Sequence, residues 1–497
     1  DSSDPEAVWG PMVESLKGII EKNRSTLLFA NSRRLTESLT SKINSEAPEP
    51  LAYSHHGSLS REIRAEVEAK LKAGELKAIV ATNSLEMGID IGALDEVVLI
   101  QAPPSISSAI QRVGRAGHSV GAVTRGSFYP THQQDFLESA VLARGILDGD
   151  IEQIEPVQAP LDVLAQIVVS MTAMETWDLD ALYAFLRSCY SYYDLKREPF
   201  DLVLNMLAGR YADSRIQELQ PRVSIDRIDN TVEARKGAIQ VLYMAGGTIP
   251  DRGYFSMRHQ DTNARIGDLD EEFVWESDVG KTFTLGTQHW RIERITHNDV
   301  FVTPVRSEPK VMPFWKGEGY HREFHFSETI AQFLEDANDR VTTPEFADTL
   351  RDRFCMDDVA AQRLITFLKE QKSRTRRDLP HRHHLLVEAI ESGPDGMPGN
   401  QVVLHTLWGG RVNVPFALAL DAAWEARYQQ RIEVFPTNDG ISVMMPHEVE
   451  PEELLSMVTT THVESLLRER LESSGFFGAR FRECAGRSLI MTKNRMN

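Results

Sequence analysis

Between residues 24 and 131 short apolar runs alternate with helix-patterned stretches, and no other feature narrows the possible folds as far. The short apolar runs are Thr26 to Ala30, Lys77 to Thr82, Val97 to Ala102 and Gly126 to Pro130. Parallel strands are joined by helices that cross over the sheet. Helices fit from Ser32 to Ile43 and from Ser60 to Leu71. In the second, Ser60 suits the N-cap, Ile63, Val67 and Leu71 recur at fours on one face, and Gly74 suits the stop. The segment predicts a parallel α/β sheet.

From Leu161 the pattern changes. Helical stretches over Leu161 to Met174, Leu179 to Cys189 and Pro199 to Ala208 precede a hairpin signal, Val223 to Arg227 and Val232 to Arg235 around Asp229 and Asn230. Helices followed by a wing predict a winged helix. Its third helix carries Phe200-Asp-Leu-Val-Leu-Asn-Met-Leu, too apolar to read base edges, so a scaffolding role is expected. Gln240 to Val305 is β-rich, with turn signals at Gly246-Gly247, Asp251-Arg252-Gly253 and His297-Asn298-Asp299, and helical patterns return after Phe324. At about 100 to 200 residues per domain, the 497 residues suit roughly three domains. These are 1–155, the α/β sheet; 156–238, the winged helix; and 239–497, a module with a barrel-like sheet followed by α+β structure.

A net charge of −19 excludes a surface that attracts phosphate everywhere, so any nucleic-acid path must be a local basic groove. The basic run Lys369 to His384 suits either part of such a groove or a solvated linker. Cys189, Cys355 and Cys484 lie far apart without partners at ligand spacing, so neither a disulfide framework nor a metal site is expected, and a reducing cytoplasm fits. No apolar stretch approaches the roughly 18 residues of a membrane span, so no membrane partner is expected.

In a parallel sheet ligands gather outside the carboxyl ends of the strands. There the chain places Asn31-Ser32-Arg33, His55-His56-Gly57-Ser58 and Thr82-Asn83-Ser84-Leu85-Glu86-Met87-Gly88-Ile89-Asp90. A fourth segment is Gln111-Arg112-Val113-Gly114-Arg115-Ala116-Gly117-His118. Its glycines allow close backbone approach, and Arg112 and Arg115, one helical turn apart, offer positive charge to a polyanion. In this order and spacing the segments resemble motifs IV, IVa, V and VI of superfamily 2 helicases. The runs Ser84 to Asp90, Gln111 to His118 and Pro160-Leu-Asp-Val-Leu-Ala-Gln are similar to the large helicase-related (Lhr) family in particular. So are Gly247-Thr-Ile-Pro-Asp-Arg-Gly, Phe314-Trp-Lys-Gly and Phe481-Arg-Glu-Cys-Ala-Gly-Arg.

The resemblance spans nearly the whole chain and implies a second RecA-like motor domain, with the first motor half outside it. ATP and Mg²⁺ are then the cofactors, bound mainly by that first half. Gly88, Asp90, Gln111, Arg112 and Arg115 fall on the nucleotide side, with Arg112 and Arg115 as the catalytic groups that reach the γ-phosphate. Asn31, Arg33, His56, Gly57, Ser58 and Thr82 fall on nucleic-acid phosphates. The plainer alternatives are an Asp90 that caps a turn and arginines that pair with surface acids. His55 reads as structural. Many superfamily 2 relatives carry arginine where His118 stands, which leaves the charge role of that position open. Trp290 either stacks on a base, as the resemblance implies, or packs in a core, since it shares strand parity with Ile292. Ile249 is a candidate wedge or a loop-packing residue.

A Walker A loop needs Gly-x-x-x-x-Gly-Lys-Ser/Thr after a strand. At Gly280-Lys281-Thr282 the first glycine is replaced by Trp275, so the segment reads as a turn, and Asp270-Glu271-Glu272 is no Asp-Glu-x-His box. Alone, the chain is expected to lack the Mg²⁺ and triphosphate cradle. The resemblance implies the C-terminal half of an ATP-dependent helicase that moves 3′ to 5′ on single-stranded DNA or opens a DNA/RNA hybrid, acting in DNA repair. The alternative is a stand-alone nucleic-acid clamp or adaptor without ATPase activity. Arg112 and Arg115 favour the first, since a clamp needs neither.

Overall fold

The structure, a computed structural model, describes every residue except 1–4, 46–48, 57–60, 87–93, 118–122, 211–219, 249–253, 271–273, 275–276, 278, 286–287, 297–298, 306–320, 393–397, 448, 473–474 and 491–497. A helix that the alternation did not predict, α1 (Pro5–Lys22), comes first and buries Leu16 and Ile20. There follow β1 (Thr26–Ala30), α2 (Arg33–Asn44), β2 (Ala52–His55), α3 (Arg61–Lys72), β3 (Ala78–Ala81), β4 (Glu96–Ile100), α4 (Ile106–Val113), β5 (Gly126–Tyr129) and α5 (Gln133–Asp148). Among the described residues the strands lie in the order β2-β3-β1-β4-β5, and each neighbouring pair is parallel. This is the sheet the apolar runs predict. Alternate residues face opposite layers: Leu28, Ala30, Val80 and Val98 pack with Leu16 and Leu39, while Leu27, Phe29, Ile79 and Val97 pack with Val67 and Leu71. Each such side chain contributes about 1.5 to 3 kcal/mol by leaving water. Ser32 Oγ accepts from Leu35 N (3.1 Å) to cap α2. Gly74, at φ +72°, ends α3, and the expected cap Ser60 lies outside the described residues.

Next come α6 (Leu161–Thr172), β6 (Trp177–Asp178), α7 (Leu179–Leu186), α8 (Arg197–Leu207), β7 (Val223–Asp226) and β8 (Thr231–Ala234), the helices and wing of the winged-helix pattern. The apolar third helix buries Phe200, Val203, Leu204 and Leu207 in the local core, as a scaffolding helix does. After α9 (Ala238–Ala245), the strands β9 (Tyr254–His259), β10 (Arg265–Asp270), β11 (Thr282–Leu285), β12 (Gln288–Ile295) and β13 (Asp299–Val305) are ordered β10-β9-β13-β12-β11. Only β13 with β9 is parallel among the described pairs. Gly280, at φ +92°, lies in a turn before β11, where the sequence places a turn and not a phosphate loop.

Helices return at α10 (Phe324–Arg340), α11 (Pro344–Phe354) and α12 (Asp358–Thr375). A sheet of order β14-β15-β17-β16 is built from β14 (Leu386–Ser392), β15 (Pro398–His405), β16 (Glu433–Pro436) and β17 (Ile441–Met445), with α13 (Gly410–Tyr428) between β15 and β16. Then come α14 (Pro451–Ser456), α15 (Val463–Glu472) and α16 (Gly475–Arg487). The basic run is no free linker: Lys372 Nζ donates to Asn338 O (2.8 Å), Arg382 pairs with Glu335, and Leu379 is buried. Two compact units result, residues 1–153 with 320–466 and residues 154–319 with 467–497. Segment 239–497 therefore contributes to both. In the first unit α4 and α5 share one apolar core with α10, α11 and α12.

Candidate nucleotide and nucleic-acid interface

The carboxyl ends of β1, β2 and β3 bring their polar loops together because the strands are parallel and adjacent. Thr82, just past β3, donates its backbone N–H to His55 O (3.2 Å) and is largely buried. His55 is buried too, with Nδ1 2.9 Å from Ser84 Oγ and Nε2 3.0 Å from Glu68 Oε1. It knits β2 to α3 and to the loop after β3, in line with its structural reading. Beside it, His56 Nε2 lies 2.6 Å from Glu37 Oε1 on α2. Arg33 opens α2 directly after the Ser32 cap.

Arg112 occupies the last turn of α4. The residue is only 1% exposed, and its guanidinium lies over the Phe29 ring at 5.3 Å. Nε donates to Glu86 Oε2 (2.9 Å) and Nη1 to Asn31 Oδ1 (3.0 Å), so motifs IV, V and VI meet at one buried cation. Asn31 spends its other end inward as well, Nδ2 donating to Ala102 O (2.7 Å). Removing one partner of such a buried pair costs about 3 to 5 kcal/mol, because the other is left charged and dry. Arg115, in the turn after α4, is part-exposed and donates Nη2 to Glu86 O (2.7 Å). Gly117 follows at φ +77°, and a Cβ there would meet Thr124 Oγ1 at 2.8 Å, so the local fold favours glycine at this position. Gln111 is exposed beside them.

Glu86 was not among the expected site residues, although it stands inside the motif. The signal was an acid in the loop after β3, opposite a motif with two arginines. Gly57, Ser58, Gly88, Asp90, His118 and Ile249, with the Phe314-Trp-Lys-Gly run, lie outside the described residues. Trp290 packs: it is 8% exposed, in the core with Phe283, Ile292 and Val302, its ring edge-on to His259 at 6.4 Å. Burial of the ring among β-strand side chains is the physical outcome its shared parity with Ile292 anticipates.

A parallel sheet of this order, with motif IV to VI loops at its strand ends and a winged helix after it, defines the second motor domain of superfamily 2 helicases. Residues 12–119 match the helicase conserved C-terminal domain, 144–312 the winged helix domain of large helicase-related protein, and 379–497 the DEAD/H associated family. The chain belongs to the Lhr family. It is 35% identical to an Lhr helicase/probable uracil glycosylase of Mycolicibacterium smegmatis over 99% of this chain and 35% of that protein. It is equally 35% identical to the Lhr helicase/uracil glycosylase of Escherichia coli over 98% of this chain and 34% of that one. An ATP-dependent helicase Lhr-Core of Methanothermobacter thermautotrophicus is 31% identical over 99% and 57% respectively. The chain thus spans about a third of the bacterial relatives and just over half of the archaeal one. The solved Mycobacterium smegmatis helicase Lhr, bound to ssDNA and AMP-PNP, matches with a TM-score of 0.76 and 34% identity, over 97% of this chain and 57% of that one. No described helix is long and apolar enough to cross a membrane.

Proposed function

We propose that this chain supplies the C-terminal side of an ATP-driven motor that translocates 3′ to 5′ on single-stranded DNA, a DNA/RNA hybrid being its second substrate. The observation that carries this is the convergence of motifs IV, V and VI on Arg112 at the sheet end, in a chain whose fold follows a helicase solved with ssDNA and AMP-PNP along nearly its full length. Arg115 is the arginine that meets the γ-phosphate; Arg112, fully enclosed, sets the loop that carries it. Gln111, Gly88 and Asp90 complete the nucleotide face, and the triphosphate's Mg²⁺ belongs to the opposite motor half. ATP supplies the free energy of stepping; the chain's own part is to hold positive charge where negative charge spreads in phosphoryl transfer. Thr82 and His56 form the phosphate-facing edge for the strand, Arg33, Gly57 and Ser58 are assigned to the same phosphates, and Asn31, its amide engaged by Arg112 and Ala102, is not. Exposed, unpaired Cys189, Cys355 and Cys484 support a reducing cytoplasmic setting.

Two measurements test the reading. The 497-residue chain alone should show no DNA-stimulated ATP hydrolysis. In the full-length protein Arg115→Ala should lower turnover by about 10³-fold with folding and DNA binding retained. Wild-type turnover in that variant sinks the nucleotide-side assignment, and DNA binding without any ATPase in the full-length protein favours the clamp.

A further inference from the structure

Arg112 is the first link of a polar path that runs away from the strand ends into the helical core of the first unit. Asn31 holds Arg112 by Oδ1 (3.0 Å) and the Ala102 carbonyl by Nδ2 (2.7 Å). The same residue's amide, Ala102 N, donates to Asp135 Oδ1 (2.8 Å), and Asp135 Oδ2 accepts from Thr131 N (2.9 Å). Asp135 is 2% exposed at the start of α5. One turn further along α5, Glu138 Oε1 accepts from Arg322 Nη1 (2.7 Å). Arg322 is also 2% exposed and spends every nitrogen of its fork. Nε donates to Ser327 Oγ (2.9 Å) on α10, and Nη2 to Asp439 Oδ1 (2.6 Å) and Asn438 O (3.2 Å) in the turn between β16 and β17. Its backbone N–H donates to Asn438 Oδ1 (2.9 Å), which also accepts from Gly410 N (2.9 Å) at the start of α13. Gly409 completes the fit, since a Cβ there would lie 2.3 Å from Arg322 O.

The links join residues far apart in sequence, and surface screening acts little on Arg112, Asp135 and Arg322, which are buried, while Asn31, Glu138 and Asp439 are part-exposed. A buried donor or acceptor that loses its partner is costly, so these groups move together or stay together. We propose that Asn31, Asp135 and Arg322 are positioning residues of one buried relay, which ties the setting of Arg112 to the β16–β17 turn and so lets the C-terminal sheet of the first unit act on ATP turnover. This rests on the reading of motif VI as the nucleotide-side motif. The relay is continuous through side chains and the backbone of Ala102, save for the helical turn of α5 between Asp135 and Glu138, which a rigid helix spans.

The test is a double-mutant cycle in the full-length protein, with kcat and KM for ATP measured at saturating single-stranded DNA and thermal stability read beside them. Asn31→Ala should lower kcat about tenfold, and Asp439→Asn, at the half-exposed far end, about threefold, both with KM unchanged. Together they should lose no more than Asn31→Ala alone, since one relay is broken only once. Where Asn31→Ala fails to fold, Asn31→Asp, which still accepts from Arg112 but has nothing to donate to Ala102 O, takes its place. Losses that multiply, or an Asp439→Asn protein of lower melting temperature with wild-type kcat, overturn the relay. The Arg115→Ala control separates the two readings: turnover that survives it defeats the motif VI assignment itself, whereas its loss beside an additive cycle defeats the relay alone.

Discussion

The strand ends of the first sheet and the interior of the β9–β13 sheet bury side chains of opposite kinds. At the strand ends of the first, the enclosed groups are Arg112, His55, Thr82 and Asp135, and hydrogen bonds tie each to a neighbouring segment. Inside the second, the enclosed groups are Phe255, Met257, Phe283, Trp290, Ile292, Val300 and Val302, and the Trp290 Nε1–H meets no acceptor among the described residues. Hydrogen bonds are directional, so the first arrangement fixes where a charge stands; apolar burial is not, so the second mainly holds the sheet together. A site for phosphate chemistry needs the former, and a frame needs the latter.

The largest effect that could break this contrast is at Trp290. As a packing residue, Trp290→Ala should cost about 3 to 5 kcal/mol through lost burial and a residual cavity, so melting temperature, ATPase and strand separation fall together. Should stability and DNA-dependent ATPase stay near wild type while strand separation alone collapses, the indole is a base platform and the β9–β13 sheet is a working surface as well as a frame.

The contrast also explains what was legible in the sequence. The parallel sheet and the helices and wing after Leu161 were readable because burial on one or two faces imposes a period on residue type. The motif loops were readable because close phosphate approach admits few residue types. What escaped was pairing across the chain. Nothing local marks Arg322 as the partner of Glu138 and Asp439, since the bond depends on α5, α10 and the β16–β17 turn arriving at one point. Asn31 shows the same limit from the other side: its place after β1 was expected to serve a nucleic-acid phosphate, yet its amide is engaged by Arg112 and Ala102, a use visible only once the strands are side by side. Nor did periodicity disclose α1, whose apolar face is interrupted by Gly10 and Pro11.

A smaller effect sharpens the polar side of the comparison. Burial, with Asp439 and Asp135 nearby, pushes the Glu138 carboxyl from 4.5 up to about 7, against the pull of Arg322. A carboxyl raised in the folded state favours the fold while protonated. That contribution is whole below the unfolded value of 4.5 and is lost as pH rises through about 7. Between pH 5 and 8 the wild type should lose on the order of 2 kcal/mol relative to Glu138→Gln, which has no proton to release. The measurement is unfolding free energy of both proteins across that range; parallel curves would show that the Arg322 pocket carries no titrating group.

The smallest effect concerns the helix that carries Arg112. Ser105 caps α4, its Oγ accepting from Ser108 N (3.0 Å), and the loss of such a cap usually costs about 1 kcal/mol. Here the amino end is held a second time, because the largely buried Glu152 accepts from Ile106 N (2.6 Å) and Ser107 N (2.9 Å). In the winged helix, Asp178 accepts from both Asp180 N and Ala181 N of α7, with Asn230 O taking the Leu179 N–H, so Asp178 caps two amides where Ser105 caps one. If polar redundancy is what distinguishes the motif-bearing sheet, Ser105→Ala should cost less than Asp178→Ala, a few tenths of a kcal/mol against about 1, with ATPase unaltered. Melting curves of the two variants decide it. An equal or larger loss for Ser105→Ala would mean that Glu152 does not share the capping of α4, and that Arg112 rides on a helix held at one point.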